Sequence, residues 1–292
     1  MNISLEQDGE SLCFHLEPED SDIEHLKSSK IGLAGKEARI NLGGLKIESI
    51  HPDLIGLSAI LMSHQFVGKE LRLQFGVSEE FLEKTNGILS KYKITSESDM
   101  SIYPNETPVN SRPGLAFSGG ADSTAALAVM PGNTIPVFMN RPMRKGSMYD
   151  SDAPIKNCEL LKQIGYDVKV VDCDLEYLRE PVGFPSDLAH AIPLILLSGD
   201  LGIDSIAFGT ILESAYGIGH EHHIDYPNGS RKRFYGTLLS AAGLQISLPV
   251  GGVSEVGTCI IVEDSPLGEL AQSCIRGKRD SPCMRCWKCF RK

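Results

Sequence analysis

From Gly114 onward short apolar strands alternate with helices, and no other feature constrains the fold as much. Residues 115–117 read as a strand, 123–129 as a helix of small residues and 134–139 as the next strand. A helix around 153–164, a strand at 168–171, a helix at 188–198 and a strand at 205–208 continue the pattern. Strands separated by helices return in parallel, so the order predicts a parallel sheet covered on both faces. Ligands of such sheets bind beyond the carboxyl ends of the strands. The loops after Phe117, Met139, Asp172 and Phe208 are therefore where chemistry is expected.

The region before this is different in kind. Residues 2–5 and 11–16 alternate like a hairpin around Gln7-Asp8-Gly9, and 39–47 is strand-like around Gly43-Gly44. Residues 54–62 read as an apolar helix, 71–75 as a strand and 79–89 as a second helix. No chemical motif stands out. Residues 1–100 are expected to form a small accessory α+β domain. The breaker-rich stretch around Pro104, Asn105, Pro108 and Pro113 makes 101–113 a linker, and 114–292 the second domain.

The loop Ser118-Gly119-Gly120-Ala121-Asp122-Ser123 lies where a strand meets a helix. Glycine lets backbone N–H groups approach an anion closely. A helix start adds unpaired donors and a partial positive charge, so such a loop can hold a phosphate or pyrophosphate. The Ser118 and Ser123 hydroxyls add donors, and Asp122 can cap the helix or face a magnesium ion. There is no Gly-Lys-Ser/Thr, which excludes the P-loop of kinases and GTPases. A plain strand–turn–helix junction uses the same residue types, so the loop alone does not settle the matter.

Four of the eight cysteines, Cys274, Cys283, Cys286 and Cys289, fall within sixteen residues. Two overlapping Cys-x2-Cys pairs and a fourth thiolate supply the tetrahedron that structural zinc prefers. An iron–sulfur cluster uses thiolates equally well, and a redox or sulfur-carrying cysteine is a third option. The other four, Cys13, Cys158, Cys173 and Cys259, read as small buried hydrophobes.

Ser-Gly-Gly-x-Asp-Ser between a strand and a helix resembles the signature of the N-type PP-loop ATP pyrophosphatases. The cysteine spacing, with Ser273 before Cys274, is similar to the zinc site of the 7-cyano-7-deazaguanine synthases within that family. The resemblance covers about residues 114–292. It implies an adenine nucleotide alpha hydrolase-like α/β domain with a zinc-binding tail at 274–289. It further implies an ATP-dependent ligase that splits ATP to AMP and pyrophosphate, adenylating a carboxylate or amide for attack by a nitrogen nucleophile. ATP, Mg2+ and Zn2+ are the expected cofactors. Ser118, Gly119, Gly120, Asp122 and Ser123 are the expected phosphate ligands, and Asn140 the adenosine contact. Asp122 and Glu213 are expected to be catalytic, Glu213 orienting substrate or holding magnesium. A hundred-residue N-terminal region and the early helix end at Pro131-Gly132 depart from that family. Two rival readings remain open: a PP-loop sulfurtransferase acting on tRNA or a small molecule, and a nucleotide-binding interaction module without catalysis.

Weaker signals complete the picture. Asp172 ends the third strand, where an aspartate serves catalysis or caps a turn. His220-Glu-His-His223 offers imidazoles for metal or acid–base work but lacks the i,i+4 spacing that brings two ligands to one ion. The net charge of −10 disfavours nucleic acid as a partner, although seven Lys or Arg residues against one Asp follow Cys274. No apolar run reaches the roughly 18–20 residues of a membrane span, and residues 1–10 do not read as a signal peptide. A cytoplasmic protein with a small-molecule or protein-amine substrate is expected, with homodimerisation left open.

Overall fold

The computed structural model describes residues 1–98, 101–108, 111–144, 149–218, 228–229 and 231–291. The first part is built from β1 (Asn2–Asp8), β2 (Ser11–Glu17), α1 (Asp20–Lys27), β3 (Gly32–Leu33), β4 (Glu37–Asn41), α2 (Pro52–Ser63), β5 (Glu70–Val77), α3 (Glu79–Ile88) and β6 (Lys93–Ser98). β1 and β2 form the expected hairpin, with Gly9 at φ +60° in the turn. A mixed five-stranded sheet results, in the order β4-β2-β1-β5-β6. The strand expected over 39–47 ends at Asn41, because Gly43 and Gly44 both take positive φ and turn the chain away.

The second part follows the strand–helix alternation. Its elements are β7 (Arg112–Phe117), α4 (Ala121–Val129), β8 (Ile135–Asn140), α5 (Asp152–Gln163), β9 (Lys169–Asp172), β10 (Arg179–Glu180), α6 (Ile192–Leu197) and β11 (Ile203–Phe208). There follow α7 (Leu212–Tyr216), α8 (Thr237–Ala241), β12 (Gln245–Ser247), α9 (Glu255–Glu263) and α10 (Trp287–Arg291). Five strands form an all-parallel sheet in the order β12-β11-β7-β8-β9. The protein is thus an α/β molecule with a parallel sheet and a C-terminal cysteine cluster. The chain runs from β7 outward through β8 to β9, then crosses back to place β11 on the other side of β7. The order reverses between β7 and β11, and crevices open at such reversals. The helix expected over 188–198 is split: Pro193 sits in the first turn of α6, and a 3-10 turn at Ala189–Ala191 precedes it.

Every residue of α2 after Pro52 is buried. One face lies on the first sheet, and the other meets α6 and α8. A continuous apolar core therefore runs from Ile3 and Phe14 through Leu57 and Ile60 to Ile192, Ile195 and Ile206. A second cluster, with Leu115, Phe117, Leu127, Phe138 and Val262, fills the other face of the parallel sheet. Within the breaker-rich stretch, Asn105 is pinned from both sides. Its amide N–H donates to the buried Asp53 carboxylate at 3.3 Å, and its side chain donates to the Ala242 carbonyl at 2.8 Å. Asp53 also accepts from the Ser78 amide and hydroxyl at 2.8 Å, so its buried charge is well hydrogen-bonded.

Candidate phosphate site and cysteine centre

β7 ends at Phe117, and the chain turns sharply at Gly119, where φ is +73°. A Cβ there would stand 3.2 Å from the Asn157 side-chain nitrogen and 3.3 Å from Pro154 Cα, so conformation and space both call for glycine. Gly120 is the N-cap of α4 and supplies no side-chain cap. The turn is held from within. The Ser123 hydroxyl donates to the Gly120 carbonyl at 3.1 Å and accepts from the Ser118 amide at 3.2 Å, and the two serine hydroxyls lie 3.0 Å apart. Gly209, just past β11, packs on this helix start; a Cβ on it would lie 2.6 Å from the Ser123 nitrogen. The two strand ends are thereby brought together at the reversal.

Above them lies a cavity of about 390 Å³. Ser118, Gly120, Asp122 and Ser123 form one wall, and Gly209, Thr210 and Ser214 continue it. The opposite side carries His190, Arg231 and Asp187, the last two paired at 2.7 Å. Arg231 opens a six-residue π-helical run, Arg231–Gly236, a rare conformation that concentrates at functional sites. Burial, reinforced by the Arg231 charge, pushes the His190 imidazole down to about 4, so the ring is neutral at pH 7. It packs at a tilt against Phe184 and edge-on against Phe208, and its Nδ1 is buried without a partner among the described residues. From α9, Glu255 reaches the cavity and pairs with Arg291. The fully buried Thr258 donates its hydroxyl to Asp122 at 2.8 Å, which fixes the carboxylate at the helix start.

Five of the residues expected around the loop thus stand together: Ser118, Gly119, Gly120, Asp122 and Ser123. Asn140 stands apart at the end of β8, where it donates to Asp172 at 2.6 Å. Next to it Arg141 pairs with Glu176 at 2.6 Å; burial outweighs that pairing and raises the Glu176 carboxyl. Glu213 accepts from the first amide of α9, Glu255 N–H, at 3.2 Å. Its other oxygen is buried without a partner among the described residues. It does not line the cavity. His220, Glu221, His222 and His223 lie outside the described residues. Thr258, Glu255, Asp187, His190 and Lys288 carried no local signal. Ser254, which caps α9 by accepting from the Gly257 amide, was the nearest readable hint to the first two.

The sulfur atoms of Cys274, Cys283, Cys286 and Cys289 all lie within 4.8 Å of one another, with 3.8 Å between Cys283 and Cys289 and 3.5 Å between Cys286 and Cys289. Zinc–sulfur bonds of about 2.3 Å at tetrahedral angles put sulfurs about 3.8 Å apart, so the donor set fits one ion of that size. The turns are tight: Asp280 and Met284 take φ of 61° and 51°. A Cβ on Gly277 would stand 2.5 Å from the Ser281 carbonyl oxygen. Burial raises the Cys274 thiol, but donation from the Cys283 and Arg276 amides outweighs it and brings it down to about 6. Cys289 is pushed the other way, to about 12, by desolvation and by bonding to the neighbouring sulfurs. Of the remaining cysteines, Cys13, Cys158 and Cys173 are buried as expected for small apolar residues, whereas Cys259 is only half-buried.

Segment and loop are joined directly. The Gln272 amide donates to the Gly119 carbonyl at 3.0 Å, and the Ser273 hydroxyl accepts from the Ala121 amide at 3.1 Å. The fully buried Asn157 donates to the same Gly119 carbonyl at 3.1 Å and is itself held by the Arg279 guanidinium. A wider cleft of about 810 Å³ lies between α9 and the cysteines and meets the first cavity at Ser273 and Lys288. It is larger, yet it lacks the loop serines and Asp122, so the smaller cavity is the candidate phosphate site.

The profile of a family of unknown function (DUF6395) matches residues 234–292, which hold α8, β12, α9 and the four cysteines. No curated protein matches the chain. Among solved structures, the chain is similar to the U34-tRNA thiolase NcsA from Methanococcus maripaludis with its [4Fe-4S] cluster. The identity is 17%, over 73% of this chain and 68% of that one, with a TM-score of 0.36. Likeness at that level carries no argument about chemistry. No helix among the described residues is long and apolar enough to cross a membrane.

Proposed function

We propose that the chain is an ATP pyrophosphatase of the PP-loop type, acting as a ligase. One observation carries this reading: the Ser118–Ser123 turn, held open by glycines at the β7–β11 reversal, faces a polar cavity. The loop amides and serine hydroxyls take the β- and γ-phosphates. An oxygen of the second substrate, a carboxylate or an amide, attacks the α-phosphorus. The bond from that phosphorus to its bridging oxygen breaks, and pyrophosphate leaves. A nitrogen nucleophile then attacks the activated carbon, AMP departs, and the nitrogen gives up a proton to solvent. Asp122, oriented by Thr258, is the residue that would hold Mg2+, which supplies charge neutralisation on the phosphates.

The four cysteines are read as a structural zinc site. Their sulfurs converge on one ion-sized sphere, whereas the thiolates of an iron–sulfur cluster bind separate irons and stand further apart. That compactness favours the ligase over a sulfurtransferase built on a cluster. The substrate is read as a small molecule or a protein amine, and the location as the cytoplasm.

The test is an ATP–pyrophosphate exchange assay on metal-analysed protein, with a panel of carboxylates and amines. Exchange that depends on a carboxylate, on colourless protein with about one zinc per chain, is expected. ATP binding without exchange on any substrate would leave only an interaction module, and visible charge-transfer absorption would return the sulfurtransferase.

A further inference from the structure

Two features outside the loop converge on the phosphate cavity, and both belong to the cysteine segment. At its near end, Gln272 and Ser273, the residues before Cys274, hydrogen-bond the backbone on each side of Gly120. At its far end, Lys288 and Arg291 line the cavity from α10. Lys288 stands between Cys286 and Cys289, so two of the four sulfurs fix the backbone that presents it. Arg291 is engaged with Glu255. Among the described residues, Lys288 makes no hydrogen bond or ion pair through its ammonium group, and it stands on the same cavity as Ser118 and Ser123.

The phosphate loop itself contains no lysine or arginine. Of the cavity's other cations, Arg231 is committed to Asp187 and Arg291 to Glu255. Even where Mg2+ screens part of its charge, a pyrophosphate tail is bound more strongly by charge-assisted donors than by neutral amides and hydroxyls. Among the described residues, the cavity therefore has no uncommitted cation other than the one the cysteine segment provides.

We infer that the four-cysteine segment is a working part of the nucleotide site, with Lys288 as the cation that contacts the pyrophosphate tail. This rests on the proposed ATP reading and deepens it. The ion held by the four sulfurs then does more than close the fold. It holds the lead-in at Ser273 against the loop and the lysine over it. Loss of the metal should accordingly lower phosphate affinity, whereas loss of the lysine alone should lower affinity and leave the metal in place.

The experiment uses the full chain, metal-loaded, with inorganic pyrophosphate and the α,β-methylene analogue of ATP as calorimetric probes. Lys288→Gln is expected to weaken both about tenfold, as the loss of one partly exposed charge-assisted contact implies. Zinc stoichiometry and melting temperature should stay those of wild type, because the side chain is exposed. Raising the salt should narrow the difference between the two proteins. Arg285→Gln, a charge removed from the same segment but away from the cavity, should change affinity less than about twofold. Equal affinity in wild type and Lys288→Gln overturns the inference and leaves the ATP reading in place. Equal losses in both variants overturn it too, since the effect would then be general charge. Wild-type protein that binds neither probe removes both readings at once.

Discussion

The loop at Ser118–Ser123 and the segment at Cys274–Cys289 border one cavity but obtain their order from different sources. The loop stands on a parallel sheet whose two faces are covered by apolar clusters, and its shape follows from glycine conformations and serine hydrogen bonds. The cysteine segment has almost no core. Trp287 and Phe290 are 77% and 81% exposed, and its only helix, α10, is five residues long. A helix that short has no independent stability in water. The difference amounts to a division of labour: on the proposed reading the sheet would fix where phosphates sit, and an ion held by the cysteines would fix what reaches over them.

The largest effect should come from the less self-sufficient region. Cys286→Ser removes one of four donors. It is expected to abolish stoichiometric zinc and to release the segment from 272 onward, seen as lost amide-exchange protection. Protection at β7 and α4 should persist. Uniform loss of protection across the parallel sheet would break the comparison, because the segment would then be part of the core. Next in size is Gly119→Ala. It forces a non-glycine residue to φ +73° and crowds Asn157 and Pro154, a strain of about 1–3 kcal/mol. Relief by moving the turn should cost pyrophosphate affinity roughly 10- to 100-fold, with zinc content unchanged. Zinc lost from this variant would show that order also passes from loop to cysteines.

How much of this was legible in the sequence follows the same divide. The loop and the cysteines are local patterns, so residue type and spacing were enough for both. The parallel sheet was legible because its strands are short apolar runs separated by helical spacing. The rest of the cavity was not, because Asp122 and Thr258 meet across 136 positions and no local pattern announces such a contact. Glu213 was expected at the site from the resemblance of the turn after β11, and no local pattern announced that its carboxylate accepts from the first amide of α9. The stretch around Asn105 reads as a linker by composition. Its hydrogen bonds to Asp53 and Ala242 depend on α2 and α8, which are far away in the chain.

A third, smaller effect probes the cavity wall opposite the loop. Burial holds His190 and His64 at about 4, against about 6.5 in an unfolded chain. Their folded values are lowered, so as pH falls from 6.5 towards 4 the unfolded chain takes up protons that the folded one refuses. Stability is therefore lost across that window, on the order of 1–3 kcal/mol for each ring. His190→Gln should show a smaller drop in melting temperature between pH 7 and 4.5 than wild type. An unchanged drop would mean that the imidazole is solvated and that the wall is open rather than packed.

The smallest expected effect is the most discriminating for the loop. Thr258 is buried, and its hydroxyl both donates to Asp122 and contacts the Glu255 carbonyl at 2.9 Å. Thr258→Val keeps the shape and removes the donor, so packing and zinc should be untouched. Asp122 keeps its charge but loses the bond that aims it. A single such bond is worth about 1 kcal/mol, which corresponds to roughly fivefold in turnover. If Asp122 holds the magnesium that accompanies ATP, the deficit should appear as a higher magnesium requirement and shrink when magnesium is saturating. A deficit that persists at saturating magnesium would place Asp122 in the structure of the helix start alone. The aspartate would then belong with the glycines that shape the loop, and the metal-binding role would pass to another carboxylate of the cavity.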